Sequence, residues 1–101
     1  MIVRFAGCEL DFGARELRRD GGRVTVQPKV LELIAYLIEH RDRAIGKAEL
    51  QNALWPGVIV TETSLTQAVR KARRALADDA EMQNIIRTVH GHGYRFVAAL
   101  D

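Results

Sequence analysis

The sequence predicts an α+β fold in which a small antiparallel sheet comes first, three helices follow and a β-hairpin closes the chain. Three observations carry that prediction. Residues 1 to 26 alternate apolar and polar side chains in short runs broken by glycine. From Pro28 onward apolar residues recur at helical spacing, and Pro56-Gly57 divides the helical stretch. The last segment returns to alternation on both sides of His90-Gly91-His92-Gly93.

The 101 residues make one domain by length. Folding at this size buries roughly 65% of the unfolded chain's surface, enough for one core without staples. An apolar content of 48% and a charged content of 28% suit an ordinary globule. The single cysteine, Cys8, excludes an internal disulfide and reads as a small buried strand residue. No apolar run approaches the ~18 residues of a membrane span, and Met1 to Phe12 lacks the pattern of a signal peptide. A cytoplasmic protein is expected.

Val3 and Phe5 alternate with Ile2 and Arg4, and Cys8, Leu10 and Phe12 alternate with Glu9 and Asp11, until Gly13 breaks the run. Leu17 to Arg19 and Arg23 to Val26 flank Asp20-Gly21-Gly22, a hairpin turn signal. Four strands with one apolar face result.

Pro28 opens the first helix, where a missing N–H costs nothing. Val30, Leu33, Ile34, Leu37 and Ile38 form its core-facing stripe, and His40 and Arg41 are placed in its last turn. A second, short helix covers Lys47 to Leu54, with Leu50, Ala53 and Leu54 apolar, and ends at Pro56-Gly57. Val58, Ile59 and Val60 follow in a loop and are expected to pack rather than face water. The third helix begins near Thr61 to Thr63, residues suited to an N-cap, and runs to about Ala77. Its buried stripe is Leu65, Val69, Ala72 and Leu76.

The net charge of +2 is uninformative, but its placement is not. Residues 63 to 76 hold Arg70, Lys71, Arg73 and Arg74 and no acid; Asp78, Asp79 and Glu81 come directly after. At about 100° per residue, Thr63, Gln67, Arg70 and Arg74 lie opposite the buried stripe. Ser64 and Lys71 flank that polar face on one side, Thr66 and Arg73 on the other. A basic helix is often only solvated surface. This one mixes cations with Ser, Thr and Gln, the groups that contact phosphates and base edges, and lacks the glutamates that pair with lysine and arginine on an idle helix. Its width fits a major groove about 12 Å across. A short helix, a turn and a basic helix make helix-turn-helix order. The hairpin that follows carries Arg87, His90, His92, Tyr94 and Arg95.

Glu49-Leu50 through Leu54-Trp55, Val60 through Leu76, Ile86 through Phe96 and the strands ending in Asp20-Gly21 together resemble the winged-helix effector domain of the OmpR/PhoB type, including ToxR/CadC-like activators. The Thr88-Val89-x-Gly-x-Gly-Tyr-Arg-Phe run is the most specific part, and the resemblance covers essentially the whole chain. It implies a winged helix-turn-helix with a four-stranded amino-terminal sheet and a hairpin wing. It also implies sequence-specific binding to double-stranded DNA at direct repeats, for transcription regulation. By motif position, Thr63, Ser64, Gln67, Arg70, Lys71 and Arg74 match the family's DNA-facing helix positions, while Thr88, His90, His92 and Tyr94 match its wing. Arg73 is expected to contact phosphate. His90 stands where many members place an arginine that enters the minor groove, and Ala72 stands where leucine is common.

Other chemistries find little support. His90 and His92 have only His40 and Cys8 as further candidate ligands, both in distant segments, so no metal or other cofactor is expected. No Ser/His/Asp or Cys/His spacing, carboxylate pair or phosphate-binding loop suggests an enzyme. Asp78-Asp79 reads as a helix-ending turn. The competing reading is a winged helix used for protein contact, with RNA polymerase or a sensor as partner. With Met1 as the natural start, no receiver domain precedes the module, and it is expected to be the amino-terminal piece of a longer regulator. A monomer that pairs in tandem on DNA is expected.

Overall fold

The computed structural model describes all residues, 1–101. Strands β1 (Ile2–Phe5), β2 (Cys8–Asp11), β3 (Glu16–Arg19) and β4 (Gly22–Val24) form an antiparallel meander in sequence order. Its inner face is set by the alternation: Phe5, Cys8, Leu10 and Leu17 are buried, while Arg4, Arg18 and Arg23 line the outer face. Arg19 pairs with Gly22, so Asp20 and Gly21 alone make the turn. Both have positive φ (52° and 82°), the two-residue geometry that matches strand twist.

Helix α1 (Pro28–Glu39) has Pro28 in its first turn and buries the five residues of the expected stripe, Val30, Leu33, Ile34, Leu37 and Ile38. It ends two residues earlier than the sequence suggests. His40 is the C-cap, its N–H donating to the Tyr36 carbonyl, and Arg41 lies beyond. Neither occupies the last helical turn. The Tyr36 and His40 rings instead meet at a tilt of 46°, with centroids 4.4 Å apart, one turn apart along the chain.

Strand β5 (Ile45–Gly46) was not legible in the sequence. Two residues are too short for a periodic signal, and the strand exists because β7 is there to pair with it. Helix α2 (Lys47–Leu54) follows at once and buries Leu50 and Leu54, while Ala53 is exposed. The turn after α2 corrects a second expectation: Val58 is 60% exposed and Ile59 fully so, with only Val60 partly covered. Gly57, at φ +73°, turns the chain just before these residues, and none of the three packs against the core.

Helix α3 (Glu62–Leu76) is capped by Thr61, whose hydroxyl accepts from the Ser64 N–H. Ala68 and Ala75 join Leu65, Val69, Ala72 and Leu76 on its buried side. Small residues there let α3 lie close against α1, so Ala72 is fully buried rather than a gap. Strands β6 (Ile86–Val89) and β7 (Gly93–Phe96) make the closing hairpin, and with β5 they form a three-stranded sheet ordered β5-β7-β6. Phe96 meets Phe5 edge-on at 5.0 Å, which joins the two sheets over one core.

Candidate nucleic-acid interface

The interface begins with how α3 is held. Its carboxy-terminal carbonyls need partners, and the amino-terminal sheet supplies them. The Arg19 guanidinium donates to the Ala75 carbonyl at 2.5 Å and the Arg74 carbonyl at 3.4 Å, and the Cys8 thiol lies 3.7 Å from the Leu76 carbonyl. A cation at this end also suits the helix dipole. Burial raises the Cys8 thiol pKa, with Arg19 acting against it, which fits an inert packed side chain. The other end of α3 is tied to α2 by a Lys47–Glu62 ion pair. Helix α2 is in turn bound to α1 through Glu49, which accepts from Arg43 at 2.6 Å and from the Tyr36 hydroxyl at 2.6 Å. Those hydrogen bonds, from Arg43 first and Tyr36 second, hold the Glu49 carboxyl down at about 2.

On this mount the outer face of α3 presents Thr63, Gln67, Arg70 and Arg74, all exposed. Neither arginine takes part in any of the six ion pairs of the domain. The flanking residues diverge as the helical spacing requires. Lys71 turns toward α1 and donates to the Gln27 amide oxygen at 3.1 Å, with half-buried Ser64 on the same side. Arg73 turns toward the hairpin. Its guanidinium donates to the Ile86 carbonyl at 3.0 Å and to the Thr88 hydroxyl at 2.8 Å, and it is only partly exposed.

The wing is braced from below. Asp78 accepts the N–H groups of Asn84, Ile85 and Ile86, so the turn after α3 fixes where β6 starts. The Gln83 amide oxygen accepts the Thr88 N–H at 2.8 Å. Gly93 packs so tightly on β5 that a Cβ there would sit 1.9 Å from the Ile45 carbonyl oxygen. Tyr94 is 6% exposed and borders a recess of about 320 Å³ shared with Thr66, Arg70 and Arg73. His92 folds back: its ring lies over Gly46, its Nε2 is 3.4 Å from the Ala44 carbonyl, and its own carbonyl accepts the Lys47 N–H at 3.1 Å. His90 alone of the four wing residues is exposed at the tip without such a partner, beside Gly91 at φ +75°. No three His, Cys, Asp or Glu side chains converge as a metal site would need.

Of the residues singled out in the sequence, Arg70, Arg73 and Arg74 share a recess with Tyr94 of the hairpin, and Lys71 lies on the opposite flank of α3. Arg73, Thr88, His92 and Tyr94, however, are engaged within the domain. Arg19, Gln27 and Asp78 were missed as supports, because each acts across 44 residues or more, or through backbone groups, and leaves no local pattern.

Residues 21–96 match the family described as "Transcriptional regulatory protein, C terminal". The chain belongs to that family. It is an OmpR/PhoB-type domain, and transcription regulation through DNA is the function that membership carries; it is not a family of enzymes. Among relatives, this OmpR/PhoB-type chain is 28% identical over 97 residues to the transcriptional activator CadC of Escherichia coli, covering 95% of this chain and 19% of the relative. It is 30% identical over 95 residues to the phosphate regulon regulatory protein PhoB of Pseudomonas aeruginosa, covering 93% and 41%. The chain therefore spans less than half the length of either. Its fold superposes with a TM-score of 0.83 on the Klebsiella pneumoniae RstA DNA-binding domain solved with its RstA box, at 22% identity and covering 95% and 96% of the two chains.

Proposed function

We propose that this domain binds double-stranded DNA sequence-specifically, with α3 in the major groove and the wing tip on the backbone or minor groove. The observation that carries the reading is the outer face of α3. Thr63, Gln67, Arg70 and Arg74 stand exposed on a helix fixed at both ends, and the two arginines lack acidic partners. Gln67 and Arg70 are assigned to base edges, Thr63, Ser64, Lys71 and Arg74 to phosphates. In the wing, His90 is the candidate for a backbone or minor-groove contact. Thr88, His92 and Tyr94 hold the hairpin at its angle. The RstA domain, which shares the fold, is one solved on a DNA box.

Selection of binding sites from a random duplex pool tests this. An enriched motif, with log K falling against log salt by ~0.9 per phosphate neutralised, is the expected result. Salt-sensitive but sequence-blind binding would refute it. Two copies on direct repeats, monomeric otherwise, would give half-sites spaced by about one helical turn of DNA.

A protein partner has a different surface. Val58 and Ile59 stand out on the α2–α3 turn, apolar and exposed, off the outer face of α3. We assign that turn to RNA polymerase; Ile59→Ser should leave DNA affinity unchanged while lowering transcription in a reconstituted assay. Because the chain spans less than half the length of the regulators it matches, the domain is read as the cytoplasmic DNA-binding unit of a longer regulator. No helix is long and apolar enough to cross a membrane.

A further inference from the structure

Two grooves run along the side of α3 that faces α1. One, of about 390 Å³, lies between the amino-terminal half of α3 and the start of α1, and is bordered by Thr63, Ser64, Gln67, Lys71, Gln27 and Lys29. The other, of about 380 Å³, continues toward the amino-terminal sheet between Thr25, Arg19 and Arg74. Gln27, Val30 and Lys71 border both, so the two form one trough. From Thr63 to Ala75 it follows α3 for about 18 Å at 1.5 Å per residue.

The lining has one sign of charge. Arg19, Lys29, Lys71 and Arg74 contribute cations, Thr25, Thr63, Ser64 and Gln27 contribute hydrogen-bonding groups, and no aspartate or glutamate borders either groove. The recess on the wing side of α3 includes Asp78, and the groove over the outer sheet face includes Glu9, Asp11 and Glu16. Glu32 pairs with Lys29 at 3.3 Å, but from outside the trough. Helix α1 adds to the field. Its start has no side-chain cap and no acidic residue in the first turn, so the positive end of its dipole is unopposed.

We propose that this trough seats the sugar-phosphate backbone of one DNA strand, with Thr25, Gln27 and Lys29 joining Lys71 and Arg74 as phosphate contacts while Arg19, held on the α3 carbonyls, adds only its charge. The inference rests on α3 entering a major groove, since a helix in that groove has one backbone on either side. A length of about 18 Å exceeds what one free anion needs and suits a strand. The charge complementarity is that of backbone binding, which positions without reading sequence.

Gln27→Glu is the discriminating variant. A glutamate keeps an acceptor for Lys71 and places a negative charge at the start of α1, so the melting temperature should hold or rise. DNA affinity should nevertheless fall roughly three- to tenfold, equally on selected and random duplexes, with the log K–log salt slope reduced by about 0.9. Lys29→Gln should act in the same direction with a smaller loss. If both variants bind the selected duplex with unchanged affinity and slope while Arg70→Ala weakens it, the trough carries no backbone and the proposal fails alone. If the unmodified domain shows no salt-dependent duplex binding, the DNA reading fails and the proposal with it.

Discussion

Helix α3 and the wing present their surfaces in opposite ways. On α3 the support comes through the backbone and the ends: Arg19 and Cys8 at the carbonyls, Thr61 at the N-cap, Lys47 at Glu62. Its outer side chains are left free. In the wing the side chains themselves are the support, with Thr88 bonded to Arg73, His92 folded on Gly46 and Tyr94 buried. A helix satisfies its own backbone, so its outward side chains are available for a partner. A two-stranded hairpin is marginal by itself and must recruit its residues to stay in place. The comparison explains why the candidate base-reading groups concentrate on α3.

The largest effect that tests this difference is at Gly93. Gly93→Ala would press a Cβ into the Ile45 carbonyl, and β5 cannot retreat without moving the start of α2. A loss of about 3 kcal/mol is expected, the upper range for overpacking, measured by urea unfolding. An unperturbed unfolding midpoint would show that the wing is not fixed through β5.

Arg73 sharpens the comparison. As a phosphate contact it would lower the salt slope by about one when removed. Its bonds to Ile86 and Thr88 predict a different outcome: Arg73→Ala costs about 1.5–3 kcal/mol of stability, the range for hydrogen bonds to charged groups, and leaves the slope close to the parent's. Thermal melts and salt titrations on one preparation separate the two roles.

Ala77 offers a smaller gain. It ends α3 in the left-handed region at φ 56°, where glycine is the usual residue. Ala77→Gly should stabilise the domain by about 1 kcal/mol without altering DNA affinity, because the residue lies past the helix and off its outer face. A destabilised variant would mean that the loop, not the helix end, sets this conformation.

The smallest effect concerns acid stability. Glu49 is held at about 2 against an ordinary 4.5. A lowered folded pKa means that the unfolded chain binds more protons between those values, so stability rises with pH across that window and is lost as pH falls toward 2. Glu49→Gln should flatten the stability profile between about pH 4.5 and 2 while leaving its shape near neutrality unchanged. An unchanged acid limb would show that the Arg43–Glu49–Tyr36 cluster does not couple to folding.

Much of the architecture was legible because its elements carry their own periodicity. The α1 stripe, the Asp20-Gly21 turn, the Thr61 cap and the glycine-bearing hairpin are each specified within a few residues of chain. What failed was judged on local character alone. Val58 and Ile59 are apolar, yet burial depends on whether the fold offers a surface to cover them, and neither packs against the core. The end of α1 slipped by two residues, because helix ends are settled by competing hydrogen bonds rather than by pattern.

By itself, the sequence determined the basic outer face of α3, its order after a short helix, and the hairpin that follows. Periodicity and placed charge are properties of a continuous segment. Only the tertiary structure decided which of those cations are free. Arg70 and Arg73 are three residues apart and chemically identical, but one faces outward and the other meets the Ile86 carbonyl and the Thr88 hydroxyl. That choice, like the trough formed where α1, the amino-terminal sheet and α3 converge, depends on packing between segments distant in the chain.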